Sequence, residues 1–155
     1  MKQSEEENNA ATVIGSSADR GGNRVDEAWM EEALHAAQEA LRCGDVPIGS
    51  VVVLDNKIVG RGWNRNLHDS DPTAHAEIVA LRNAGAAIGN YRLVGCELFS
   101  TIEPCAMCAG AMVNARVPTL LYGCDDPKAG AVRTLFQLCD DGRLNHRMTI
   151  HAGLR

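Results

Sequence analysis

The chain has 155 residues, 45% of them hydrophobic, 23% charged and 4% aromatic, with a net charge of −5. That length and mixture describe one globular domain with a sizeable core and exclude a disordered, collagen-like or low-complexity chain. No apolar run approaches the roughly 20 residues that cross a bilayer, and an acidic body excludes binding of long nucleic acid by counterion release alone.

Residues 1–24, rich in Asn, Ser, Gly and Glu, are expected to form an irregular tail, leaving 25–155 as the folded domain. From Asp26 the pattern turns helical, with Trp29, Met30, Ala33, Leu34, Ala37, Ala40 and Leu41 at three- and four-residue steps, Asp26 as a cap and Gly44 as a stop. Residues 48–54 read as a strand, Asp55-Asn56 as a turn and 57–61 as the partner strand. Residues 62–72 read as a loop, and Thr73 can cap a second helix from Ala74 to about Ala84. A third strand over Cys96–Thr101 leads to Pro104, suited to the first turn of a third helix over Cys105–Ala115. A fourth strand over Thr119–Tyr122, a loop over 123–130, a helix through Val132, Leu135, Phe136 and Leu138, and a short strand over Met148–His151 complete the chain. Helices alternating with strands imply an α/β sheet covered on both faces.

Two short motifs open the second and third helices: His75-Ala-Glu77 and Pro104-Cys-Ala-Met-Cys108. Zinc favours thiolate and imidazole, and a catalytic zinc keeps three protein ligands with one position open. His75, Cys105 and Cys108 supply that set, and a helix N-terminus favours thiolate over thiol. Glu77, two residues past His75, is poorly spaced to be a second ligand on the same helix face. From the edge of the site it can take a proton from the attacking water and pass it to the substrate. A redox Cys-x-x-Cys would need a thioredoxin-like βαβ context, and a structural zinc site would need a second ligand pair; neither is present in the sequence. MKQSEEENNA lacks the apolar stretch of a secretory signal, so a cytoplasmic setting with all six cysteines reduced is expected.

His-x-Glu followed by Pro-Cys-x-x-Cys is the signature of zinc nucleobase deaminases. The chain resembles the bacterial tRNA-specific adenosine deaminases over residues 26–155. The likeness rests on Asp45-Val-Pro-Ile-Gly49, Gly62-Trp-Asn64, Asp71-Pro-Thr-Ala-His-Ala-Glu77, Asn90-Tyr-Arg-Leu93, the block from Glu103 to Met112, and Asn145-His-Arg147. The resemblance implies a three-layer α/β/α cytidine-deaminase-like fold with a central five-stranded mixed sheet, and one Zn2+ per subunit. It also implies deamination of adenosine to inosine at the wobble position of a tRNA anticodon loop. Asn64 would hydrogen-bond the flipped adenine; Asp126 and Lys128 would hold the flanking sugar and phosphate; Asn145 and His146 would make further RNA contacts. The family forms homodimers across the third-helix face, where Met107, Met112 and Val113 could belong either to the interface or to ordinary core.

Two departures stand out. Val132-Arg133 replaces residues that are usually small, and the sequence stops at Arg155, where the family usually continues with a basic C-terminal helix. Either the chain is truncated or it takes a smaller substrate, which leaves a free-base or nucleoside deaminase of guanine or cytosine type as an alternative. A non-catalytic, zinc-stabilised binding module is a second alternative, and Glu77 counts against it, because a structural site has no use for a proton shuttle.

Overall fold

A computed structural model describes residues 24–154. The expected tail therefore lies outside the described residues, except for Arg24, which already belongs to helix α1 (Arg24–Arg42). Next come β1 (Gly49–Leu54), β2 (Lys57–Trp63), the single-turn α2 (Asn66–Asp69), α3 (Ala76–Ile88), β3 (Glu97–Ile102), α4 (Ala106–Ala115), β4 (Thr119–Cys124) and β5 (Thr149–Ala152). The five strands form one sheet in the order β2-β1-β3-β4-β5. β1 runs antiparallel to both neighbours, β2 and β3, whereas β3–β4 and β4–β5 are parallel. The sheet is thus mixed and five-stranded, as the resemblance implied.

Alternation along the strands sorts the side chains into two cores. Val51 and Val53 of β1, Phe99 of β3 and Leu121 of β4 pack with Met30 and Ala33 of α1 on one face. Val52, Leu98, Leu120 and Tyr122 face the other way, against Ala80 and Ala84 of α3 and Ala109 and Met112 of α4. Helices therefore cover both faces in three layers. The two crossovers, β2-α3-β3 and β3-α4-β4, join parallel strands and progress in the same direction across the sheet. A common hand of crossover then requires α3 and α4 to share a face and to begin at the same sheet edge.

The distance between α3 and the sheet is set by two glycines. A Cβ on Gly60 would lie 2.3 Å from the Ala80 carbonyl oxygen, and one on Gly62 would lie 2.3 Å from that of Ala76. Ala76, Ala80 and Ala84, four residues apart, present the matching small-residue stripe. The helix backbone rests directly on β2.

Several local expectations need correction. β2 runs on through Trp63, pairing with Gly49, and α2 occupies part of the expected 62–72 loop. Asp45 makes that turn possible, accepting hydrogen bonds from the Leu67 and His68 amides at 3.0 and 3.1 Å. Thr73 does not cap the second helix; its hydroxyl donates to Asp71 at 2.7 Å, and helix α3 begins three residues later. It also runs past Ala84 to Ile88, where Gly89 ends it at φ 79°. Asp26 lies buried inside the first turn of α1. The hairpin turn is as expected, with Asp55 and Asn56 at φ 50° and 61°, the left-handed pair of a type I′ turn.

The helix expected through Val132–Leu138 does not form. Residues 131–135 make turns, followed only by a 3-10 turn at Leu138–Asp140. Val132 is buried, but Leu135 and Phe136 are 52% and 57% exposed. Glu103 accepts the amides of Val132, Arg133 and Thr134, but the next amides do not bond four residues back: Leu135 donates to the Gly130 carbonyl and Leu138 to the Ala131 carbonyl, five and seven residues upstream. Arg133, the unusual residue, pairs with Asp125 through Nε and Nη2, both at 2.9 Å.

Candidate active site

β2 and β3 are parallel to one another with β1 between them, so their C-terminal ends reach the same edge of the sheet. His75 stands at the N-cap of α3 and Cys105 at the N-cap of α4, both in extended conformation. Cys108 lies one turn into α4 and is buried. Two helix starts on one face thereby bring the three residues together. The His75 Nδ1 is 3.5 Å from each sulfur, and the three ligand atoms all lie within 4.8 Å of one another.

Among the described residues this is the one His/Cys/acid cluster compact enough to hold a metal ion. The donor set fits zinc: one imidazole nitrogen and two sulfurs, at helix starts whose partial positive charge favours thiolate. Without metal, the pair shares a proton unequally. A hydrogen bond from Cys108, then one from His75, holds the Cys105 thiol down to about 4, and that same sulfur pushes the Cys108 thiol up. His75 is raised in turn, chiefly by its hydrogen bond to Cys105. A cation there replaces these shared protons.

Glu77 is 3% exposed in the first turn of α3. Burial pushes its carboxyl up to about 7, opposed by its own amide and by the Cys108 thiol. An acid tuned to neutrality beside a metal-ligand cluster can both accept and donate a proton under physiological conditions.

Asn64, 5% exposed, sits where β2 ends. Its Oδ1 accepts the Ala76 amide at 3.1 Å, so it caps α3 from twelve residues upstream. Its Nδ2 reaches Asn66 Oδ1 at 3.3 Å, and Asn66 in turn donates to the Asp71 carbonyl at 2.8 Å. Thus Asn64 pins the helix start that carries His75 and Glu77, leaving its amide nitrogen the less committed end.

Asp126 and Lys128 follow β4 at the same sheet edge, joined to the α4 start by a bridge between Gly130 and Cys105. The Asp126 carboxylate accepts the Lys128 and Ala129 amides at 3.0 and 3.2 Å, closing a turn, while the Lys128 side chain is exposed. Asn145 and His146 are not brought to this edge. The His146 Nε2 lies 2.6 Å from the Val117 carbonyl oxygen, just before β4 begins, so the length of that strand separates the pair from the cluster. Of the three side chains considered for an interface, Met112 and Val113 are core; only Met107 is partly exposed.

One site residue had no reading of its own in the sequence. Glu103, 1% exposed, immediately precedes Pro104-Cys105. Its Oε2 accepts the amides of Val132, Arg133 and Thr134 at 3.0, 2.9 and 3.0 Å. Its Oε1 accepts the Asp126 amide at 3.1 Å and the Thr134 hydroxyl. Burial alone would raise its carboxyl, but these hydrogen bonds outweigh it and hold the group at about 2. The one sequence signal was Gly130, since a Cβ there would sit 2.3 Å from the Glu103 carboxylate.

Residues 23–124 match the cytidine and deoxycytidylate deaminase zinc-binding region. The tRNA-specific adenosine deaminase of Haemophilus influenzae is 45% identical over 133 residues, 85% of this chain and 77% of that protein. A solved structure from work on A-to-I editing by tRNA:A34 deaminases at the wobble position of transfer RNA superimposes with a TM-score of 0.79 and 42% identity, covering 83% of this chain and 93% of the other. The guanine deaminase of Bacillus subtilis matches with a TM-score of 0.62 and 38% identity over 64% of each chain.

Proposed function

The chain belongs to the tRNA-specific adenosine deaminases, and from that premise we propose that it hydrolyses the wobble adenosine of a tRNA anticodon loop to inosine, releasing ammonia. The observation that carries the chemistry is a buried carboxyl poised near neutrality beside a His/Cys/Cys cluster. His75, Cys105 and Cys108 would hold one zinc ion. When bound, zinc supplies the Lewis acidity that makes water a nucleophile near neutral pH.

Glu77 does the proton work. It takes one proton from water as the oxygen adds to C6 of the adenine and gives it to N1 as the tetrahedral centre forms; it then takes the remaining proton of the added hydroxyl and gives it to the amine, which leaves as ammonia while the C6 carbonyl forms. A carboxyl at about 7 suits both directions of transfer. Asn64 offers Nδ2 to the adenine ring while its Oδ1 stays on the Ala76 amide. Lys128 offers its exposed ammonium to a flanking phosphate, and the Asp126 turn aims it. Asn145 and His146 are the outlying members of the RNA-contacting set, a strand length from the cluster. A purely structural metal site would have no need of a buried, unneutralised Glu77.

The proposal includes a homodimer and a reducing, cytoplasmic setting. In support, all six cysteines are unpaired, and two grooves of about 570 and 670 Å3 on the α3/α4 face share Ile78, Arg82 and Ala111. Among the described residues no helix is long and apolar enough to cross a membrane.

The test incubates zinc-loaded protein with an anticodon stem-loop carrying a wobble adenosine and follows inosine, with free guanine and cytosine in parallel. Inosine from the stem-loop alone is the expected result. Turnover of a free base alone would move the assignment to that class. Cys105→Ser should lose zinc, because a hydroxyl is a far poorer ligand than a thiolate. Full zinc in that variant would overturn the ligand set.

A further inference from the structure

We propose that Glu103 is a positioning residue for the deaminase reaction: it fixes the segment 126–134 against the start of α4, so that the substrate-facing turn and the metal-ligating helix start form one unit. The inference rests on the deaminase reading above and on three features of the fold.

First, the Glu103 carboxylate gathers five donors, all from residues 126–134. Three of them are consecutive amides, a backbone nest of the kind that cradles an anion. Second, the contact is close enough to demand glycine opposite it, at Gly130. Third, the same segment is tied to the next two residues of the chain: the Ala131 amide donates to the Pro104 carbonyl at 2.9 Å, and Gly130 bridges to Cys105.

Residues 125–137 contain no helix or strand. The segment's remaining hydrogen bonds are largely local turns, such as Gly130 to Asp126 at 3.0 Å and Leu135 to Gly130 at 2.9 Å. The Arg133–Asp125 pair is exposed and screened by solvent, and such pairs hold loops weakly. The carboxylate is therefore the central tie between this loop and the sheet edge. At 1% exposure it is shut away from solvent, so it acts through the residues it holds.

The experiment compares zinc-loaded wild type with Glu103→Gln, which keeps the shape but turns an amide NH2 toward donors that need an acceptor. Hydrogen–deuterium exchange should quicken by about tenfold or more at the amides of 126 and 132–134, and stay unchanged in α3 and β3. On the stem-loop substrate, KM should rise by about tenfold, with kcat held within about threefold and zinc content unchanged. Thr134→Val, which removes one of the five donors and keeps the side-chain shape, should shift both readouts in the same direction by less. It carries the test if Glu103→Gln does not fold.

Unchanged exchange in 126–134 overturns the proposal, and so does loss of zinc or of kcat with KM unaltered. If wild type holds zinc but makes no inosine from the stem-loop, the deaminase reading fails. The role of Glu103 in holding the segment then stands or falls on the exchange pattern alone.

Discussion

Glu77 and Glu103 are the same residue type, each almost fully buried and each two positions from a proposed metal ligand, yet their acidities diverge from about 7 to about 2. Burial raises both. The difference lies in what surrounds the oxygens. Glu77 has its own amide and a thiol for company; Glu103 has four amides and a hydroxyl. Depth alone does not decide whether a carboxyl can move protons. A densely donated carboxylate is locked as an anion and serves as an anchor, whereas a sparsely donated one remains free to exchange its proton.

The largest expected effect breaks the Glu77 side of this contrast. Glu77→Gln keeps volume and cannot carry a proton, so inosine formation should fall by the upper end of about 10²–10⁴-fold or more. Zinc content, measured by metal analysis, should not change. Near wild-type turnover would remove Glu77 from the mechanism.

Next is the anchor. Gly130→Ala places a methyl group against the Glu103 carboxylate, and overpacking of this kind typically costs about 1–3 kcal/mol. Chemical denaturation should show that loss, and combining the change with Glu103→Gln should give less than the sum of the two, because both act on one contact.

The smallest effect is a slope in pH, best read in metal-free protein. Glu77 is raised from 4.5 to about 7, so between those values the folded chain keeps a proton that the unfolded chain has released. Its contribution to stability is present below about pH 4.5 and is lost as pH rises through 7. Glu103 is lowered from 4.5 to about 2, so its contribution is present above about pH 4.5 and is lost as pH falls toward 2. Each group contributes at most about 1.4 kcal/mol per pH unit within its window. Denaturation curves for wild type, Glu77→Gln and Glu103→Gln should show each variant flattening one flank only.

The two glutamates also mark how far the sequence could be read. The compact His75, Cys105 and Cys108 group, with Glu77 beside it, was legible because its residues are packed into two short motifs, at helix starts that loop signals already flagged. The alternating apolar runs likewise announced the strands and the two-sided sheet. Glu103 was legible as a motif member but not as an anchor, since its partners lie 23–31 residues onward and are mainly backbone amides, which no side-chain pattern records. A helix was misplaced for a similar reason: Val132, Leu135, Phe136 and Leu138 have helical spacing, but the Leu135 and Leu138 amides bond back to Gly130 and Ala131, pairings that no side-chain pattern records. Asn64 hid its cap of α3 for a related reason, acting across twelve residues where a local rule looked to Thr73.

The glycine pair beneath α3 has a consequence for how the site tolerates change. With Gly60 and Gly62 bare, the gap between helix and strand is one backbone resting on another, and no side chain acts as a spacer. His75 and Glu77 therefore take their height above the sheet from main-chain dimensions, which do not vary with amino-acid type. An outward-facing position such as Ala87 is free to drift without tilting the end that carries His75 and Glu77. A single methyl on Gly62 would act as a wedge under the first turn, lifting the imidazole and the proton-carrying carboxyl together.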